Sequence, residues 1–288
     1  MKNTFLILLI LFFSHTLCAQ MGTVFDNLSM HSDILNMDRK YAVYLPPDYE
    51  KSQRSYPVLY LLHGGGDDQT GWVQFGEVLH IADKAINEGI ATPMIIVMPD
   101  ADAGRRGYFN DPKNNWRYED FFFDEFIPFI EDTYPIKGEK QYRAVAGLSK
   151  GGGGSFMYAL HHPEMFSSAC PLSADTGPLS IKEVVEIFEE IGDYTKYTES
   201  EIETWYMKHS ALELINDMTA KDLGSVRWYI DCGDDDFLFE GNSLAHIALR
   251  KKEVPHEFRI RDGEHTWTYW RASLPVVLEF ISMAFHQH

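Results

Sequence analysis

Short, wholly apolar runs alternate with longer amphipathic ones along most of this 288-residue chain. Residues 41–45, 57–62, 93–98, 142–146, 168–172, 226–232 and 256–260 have the length and residue types of β-strands. Between them, residues 75–88, 119–134, 150–161, 241–252 and 268–285 predict helices. Phe122, Phe126, Ile127 and Ile130 show the one-face spacing that a helix buries. Strands apolar on both faces and separated by helices predict an α/β fold with a mainly parallel sheet covered on both sides. The more polar first 45 residues suit an antiparallel start at one sheet edge. Residues 175–222 are too long for a simple crossover. Two acidic amphipathic helices, near 180–191 and 198–217, predict a helical insertion lying as a lid over one end of the sheet, its Glu183, Glu186, Glu189 and Glu190 facing water.

The amino terminus follows another pattern. Lys2 precedes an unbroken apolar run, Phe5 to Phe13, and then Ser14 and His15. Nine residues rise only about 14 Å as a helix, short of the ~30 Å of a hydrocarbon core. Residues 1–19 are therefore expected to be a cleaved export signal ending near Ala19. The remainder, 20–288, is expected to be a single domain, periplasmic or secreted, without an integral membrane anchor. Charge narrows the partners: 25 Lys+Arg against 43 Asp+Glu leave a net −18, which disfavours binding to nucleic-acid phosphates. At 45% apolar and 14% aromatic residues, the core needs no disulfide or structural metal. Cys170 and Cys232 lie in strand-like runs, match no metal-ligand spacing and are expected to be buried free thiols.

In an open α/β sheet, ligands sit at the carboxyl ends of the strands, so chemistry is sought where the apolar runs stop. The run ending at Ala146 is followed by Gly147-Leu148-Ser149-Lys150-Gly151, a G-x-S-x-G between strand and helix. That arrangement places Ser149 at the apex of a sharp turn, where glycines remove the Cβ atoms that would collide. A serine hydroxyl needs a base, and the base an orienting carboxylate. The next strand ends supply both: Asp234-Asp235-Asp236 after Cys232, and His265 after the 256–260 run. The order Ser, Asp, His is that of an acyl-transfer triad on this kind of sheet, with one of the three aspartates as the acid. The backbone N–H of Lys150 and an amide of the His63-Gly64-Gly65-Gly66 loop are placed to meet an oxyanion. The Lys150 side chain belongs on the rim, and His63 buttresses its loop. His246, His256, His161, His162, His286 and His288 fall in elements or ends that point elsewhere. Trp267, two residues beyond His265, is a candidate for substrate contact. So are Tyr108 and Trp116, in the 100–116 loop with Arg105 and Arg106. Asp100-x-Asp102 lacks the later ligands of a calcium loop, so no metal is expected.

Leu61-Leu62-His63-Gly64-Gly65-Gly66 with Gly71-Trp72, Glu119-Asp120-Phe121-Phe122 with Ile127-Pro128, Gly147–Gly152, Cys232-Gly233-x-x-Asp236 and Gly263-x-His265-x-Trp267-x-x-Trp270-Arg271 together resemble an esterase group of the α/β-hydrolases. That group includes carbohydrate esterase family 1, with feruloyl and acetyl xylan esterases, and S-formylglutathione hydrolases, siderophore esterases and mycolyltransferases. The resemblance spans roughly residues 38–284. It implies an α/β-hydrolase fold, Asp236 as the acid, Gly65 and Lys150 as the oxyanion donors, and no cofactor. A Met is commoner than Lys150 after the nucleophile, but only the amide is required. The expected activity is removal of feruloyl or acetyl groups from a plant polysaccharide such as xylan. The same triad acting on another ester or thioester, or passing the acyl group to an alcohol, is the alternative, and a non-catalytic carbohydrate-binding module the more distant one.

Overall fold

The computed structural model describes residues 21–103, 106–111, 113–190 and 197–286. The expected export signal at 1–19 lies outside the described residues, as do Arg105 and His288. Eight strands form one sheet: β1 Thr23–Ser32, β2 Met37–Leu45, β3 Val58–Leu62, β4 Ile95–Pro99, β5 Arg143–Leu148, β6 Ser168–Leu172, β7 Arg227–Gly233 and β8 His256–Arg261. Their order is β1-β2-β4-β3-β5-β6-β7-β8. The β1–β2 and β2–β4 pairs are antiparallel and the others parallel. The antiparallel edge is the polar start of the chain, and β3, β4, β5 and β6 are buried at every position.

Two cores follow from strand alternation. Tyr41, Val43, Val58, Tyr60 and Val145 face one side, and Ala42, Tyr44, Leu59, Leu61 and Ala146 the other. The second side is closed by α1 (Val78–Asn87) and, later in the chain, by Trp267–Phe285. The first is closed by a π-helical turn at Phe121–Phe126 leading into α2 (Ile127–Thr133), by α3 (Lys150–His161), and by Phe239–Lys251. The predicted helix at 75–88 starts only at Val78, because Glu77 holds a left-handed conformation with φ of 53°.

The insertion is helical as predicted, but in more pieces. It comprises α4 (Ile181–Glu190), α5 (Glu199–His209), α6 (Ala211–Asp217) and α7 (Ala220–Leu223), after which α8 (Phe239–Lys251) and α9 (Trp267–Phe285) complete the chain. The break between α5 and α6 falls at Ser210, whose extended backbone stops one helix while its Oγ accepts from the Glu213 amide and caps the next. Thr198 and Glu201 form a reciprocal capping box on α5. Val184, Phe188, Ile202 and Tyr206 bury a small core that belongs to the insertion alone.

Candidate active site

β5 ends in Leu148, and the chain reverses at Ser149 with φ 55° and ψ −119° before α3 begins at Lys150. A non-glycine residue rarely takes this conformation, and its neighbours allow it. A Cβ on Gly147 would overlap the Gly151 carbonyl, and one on Gly151 would lie 2.6 Å from the Leu62 carbonyl carbon. The strand-to-helix turn therefore packs backbone on backbone, against the end of β3. Ser149 is fixed through its main chain: its N–H donates to the Leu172 carbonyl at 3.0 Å, and its carbonyl accepts from Gly153 and Asp175.

The other two strand ends come to it. His265 Nε2 lies 2.9 Å from Ser149 Oγ, and His265 Nδ1 2.8 Å from Asp236 Oδ2. The spacing is that of a hydroxyl, imidazole and carboxylate in hydrogen-bonded succession. Asp236 has no exposed side-chain surface. Burial pushes its carboxyl pKa up, but hydrogen bonds from His265, the Leu238 amide and Ser173 outweigh that and hold it below the ordinary value. It therefore stays an acceptor, which fixes the proton of His265 on Nδ1 and leaves Nε2 free to accept. The two neighbouring aspartates do other things. Asp234 Oδ1 accepts from the Gly263 amide at 3.1 Å, and Asp235 is exposed.

Support for Asp236 and His265 comes from residues that sequence reasoning passed over. Ser173, fully buried just past β6, accepts from Trp270 Nε1 at 3.0 Å through the same hydroxyl that reaches Asp236. The Tyr269 ring occupies the space where a side chain on Gly263 would stand, and the Gly263 carbonyl fills that of a side chain on Gly233, so the two loops pack together against Tyr269. Its hydroxyl donates to buried Asp231, which also binds Arg261 Nη2 at 2.9 Å. Ser173 follows a strand end and could have been found by that rule, whereas the roles of Tyr269 and Asp231 depend on packing that no local pattern carries.

On the opposite flank, the Lys150 stem lies against Gly65, and among the described residues neither the Gly65 nor the Lys150 amide donates to a protein acceptor. His63 holds that loop as expected. Its Nε2 accepts from the Ala101 amide at 3.1 Å, so Nδ1 carries the proton and donates to the Gly64 carbonyl at 2.8 Å. Burial keeps its pKa below the usual histidine value. Trp72 Nε1 donates to the Leu62 carbonyl at 2.9 Å and ties the Gly71-Trp72 turn to the end of β3. Lys150 Nζ reaches the Ala103 carbonyl at 3.0 Å, on the rim.

A cleft of about 580 Å³ opens at Lys150, next to Ser149, lined by Tyr108, Phe109, Lys150, Met157, Leu179, Trp205 and Phe237 among others. Tyr108 thus borders the cleft, with its hydroxyl donated to the His63 carbonyl. Trp116 does not. It is 5% exposed, stacked on Tyr118 and covered by the guanidinium groups of Arg39 and Arg106, and of these residues only Arg106 lines the cleft. Trp116, an expected contact, therefore meets this cleft only through Arg106. Trp267 is half-buried outside the cleft, edge-on to Trp72 at 5.2 Å. A larger cleft, about 950 Å³, lies beyond the stacked Trp205–His209 pair; Ser149, Asp236 and His265 line neither cleft, and only the smaller one reaches Lys150, next to Ser149.

Cys170 and Cys232 are buried free thiols, their pKa values raised by burial, that of Cys232 to about 12. Among the described residues, no helix is long and apolar enough to cross a membrane.

Comparison with known proteins agrees with this geometry. The family described as Putative esterase matches residues 32–281. A solved ferulic acid esterase is 36% identical and superposes with a TM-score of 0.81 over 92% of this chain and 99% of its own. An S-formylglutathione hydrolase from Agrobacterium tumefaciens shares the fold at 20% identity, with a TM-score of 0.73 over 93% of this chain and 97% of its own. Among curated relatives, an endo-1,4-beta-xylanase/feruloyl esterase of Xylanibacter ruminicola is 38% identical over 164 residues, 52% of this chain and 22% of that protein. An esterase of Mycobacterium tuberculosis is 39% identical over 144 residues, 49% of this chain and 29% of its own length. This chain therefore spans less than a third of either curated relative. The sheet order, the strand-end site and the match over most of the sequence lead to one assignment: the chain belongs to this esterase family and has the α/β-hydrolase fold.

Proposed function

We propose that the protein is an exported serine carboxylic-ester hydrolase, with Ser149 as nucleophile, His265 as general base and acid, and Asp236 as the orienting carboxylate. The observation that carries this reading is the unbroken hydrogen-bonded succession from Ser149 Oγ through His265 to Asp236. His265 Nε2 takes the hydroxyl proton as Oγ attacks the ester carbonyl. The amides of Gly65 and Lys150 receive the negative charge that develops on the carbonyl oxygen. His265 then gives its proton to the leaving alcohol, and the acyl group remains on Ser149. Water, deprotonated in turn by His265, releases the acid and restores the serine.

The acyl group we propose is feruloyl or acetyl, carried on a plant polysaccharide such as xylan. A cleft of about 580 Å³ is far larger than an acetyl group needs, and its aromatic and aliphatic lining supports the feruloyl member of the pair. The 36% identity to a ferulic acid esterase supports it as well. Export rests on the pattern of residues 1–19 and is tested by the amino-terminal sequence of the protein recovered from outside the cytoplasm. Turnover of p-nitrophenyl acetate tests the nucleophile. Ser149→Ala is expected to lower kcat by several orders of magnitude, and full activity in that variant would reject the assignment.

A further inference from the structure

His265 stands between two groups of aromatic side chains. On one side is Phe237, 75% exposed, its ring 4.5 Å from the imidazole and bordering the cleft. On the other, Trp270 meets the imidazole edge-on at 4.8 Å, Trp267 meets Trp270 at 5.4 Å, and Phe75 lies 5.9 Å from Trp267. Trp270 is buried, Trp267 half-buried and Phe75 49% exposed, so this run of rings climbs from the imidazole to the surface. Its outer members are held in place. Trp267 stands on Trp72, which is fully buried. The Phe75 carbonyl accepts from Arg271 Nη1 at 2.8 Å, and Arg271 Nε is 3.6 Å from Glu77. Uncovered aromatic surface adds nothing to folding, whereas a ring held in place before a ligand arrives lowers the cost of binding it.

Neither Phe75 nor Trp267 borders the cleft beside Ser149. The Trp267 and Phe75 rings therefore lie outside that cleft and are linked to His265 through Trp270. The cleft suits a compact acyl group. An alcohol that continues as a chain in both directions needs exposed surface near the site, and Phe75, 49% exposed, offers it. Pyranose rings present flat faces of C–H bonds that pack on aromatic rings, with their hydroxyl groups left in water at the edges. The net charge of −18 disfavours a polyanionic chain on this surface. We propose that Phe75 and Trp267 form a glycan shelf, binding the sugar rings of a neutral xylan-type chain while its ester reaches Ser149. The placement of the ester rests on the esterase reading. The binding of the glycan does not.

Calorimetric titration of the Ser149→Ala protein with xylotetraose tests the shelf without turnover. Saturable binding is expected, weakened about five- to tenfold by adding Phe75→Ala or Trp267→Ala and retained with Phe75→Tyr, which keeps the ring. With the active protein, the ratio of kcat/KM for a feruloylated xylo-oligosaccharide to that for methyl ferulate should fall by a similar factor in Phe75→Ala, through KM. Absence of xylotetraose binding, binding indifferent to both alanine variants, or an equal fall for both esters overturns the proposal. So does binding to phosphatidylcholine vesicles that Phe75→Ala removes while xylotetraose has no effect. Xylotetraose binding at the shelf in a wild-type protein that cleaves neither ester would instead leave the shelf standing and defeat the esterase reading.

Discussion

His161, the last residue of α3, joins the body of the protein to its helical insertion, and its chemistry makes that joint dependent on pH. Nδ1 lies 2.7 Å from Glu119 Oε1, and Nε2 2.9 Å from the Lys208 carbonyl on α5. A carboxylate and a carbonyl can only accept, so both ring nitrogens must donate, which requires the imidazolium. Burial pushes the His161 pKa down, but its bond and attraction to Glu119 outweigh this and raise it above the ordinary value. Burial likewise pushes Glu119 up, yet hydrogen bonds from His161 and His162 hold it at about 2. Against an ordinary carboxylate in the unfolded chain, that displacement corresponds to on the order of 3 kcal/mol at neutral pH. The Glu119 contribution is present above the unfolded carboxylate value and is lost as pH falls toward 2. The His161 contribution is complete below about 6.5 and is lost as pH rises through the elevated folded value. The joint is therefore strongest between about pH 4.5 and 6.5. The other titratable groups here are His162, 3.4 Å from Glu119, and Lys208 and His209 on α5. Burial lowers the His209 pKa to about 4, so that ring is neutral throughout this window. His161→Gln can place its donor nitrogen at only one of the two positions and should lose roughly 1–3 kcal/mol near pH 6, several degrees in Tm for a chain of this size. Thermal unfolding from pH 5.5 to 8.5 is the assay. The wild-type Tm should decline through the upper part of that range, and the slope should flatten in both His161→Gln and Glu119→Gln. Parallel curves for all three proteins would refute the reasoning.

Asp236→Asn should lower kcat by about three to four orders of magnitude, because an amide cannot hold the imidazole tautomer. Exposed Asp235→Asn should stay within a few-fold of wild type, and a reversal of the two would move the acid to the neighbouring residue. Gly147→Ala must force a Cβ into the Gly151 carbonyl and within 2.8 Å of Leu62 Cβ, a cost of at least about 1–3 kcal/mol from overpacking alone. A wild-type melting temperature in that variant would contradict the backbone contact. Ellman's reagent should leave Cys170 and Cys232 unmodified in the native protein and label both after unfolding in guanidinium, since burial disfavours their thiolates.

The strands and the helices around them were legible because their signals are local. Apolar runs such as Val58–Leu62 are buried at every position, and the parallel sheet follows from burial on both faces. Ser149, Asp236 and His265 could be singled out because each follows a strand that the pattern already ended, and a parallel sheet brings neighbouring strand ends together. Boundaries were less legible. Phe75 has the composition of a first helical turn, but the left-handed Glu77 delays the helix to Val78. Ser210 reads as a mid-helix residue in the 198–217 run, and only its bond to the Glu213 amide shows it dividing two helices. Trp116 misled for a different reason. Its place in a loop of arginines suggests a rim, yet Arg106 from the loop and Arg39 from β2 cover its ring, which is buried. Tyr269 and Ser173 gain their roles from partners distant in sequence, Tyr269 from Asp231 and Ser173 from Trp270.

The small core formed by Val184, Phe188, Ile202 and Tyr206 has a consequence for how such proteins diversify. An appendage that satisfies its own apolar side chains draws little on the sheet for cohesion. Its helices can lengthen, shorten or be exchanged while the turn at Ser149 keeps its shape, so the cleft wall that holds Leu179, Ile187 and Trp205 can be remodelled independently of the strand-end residues.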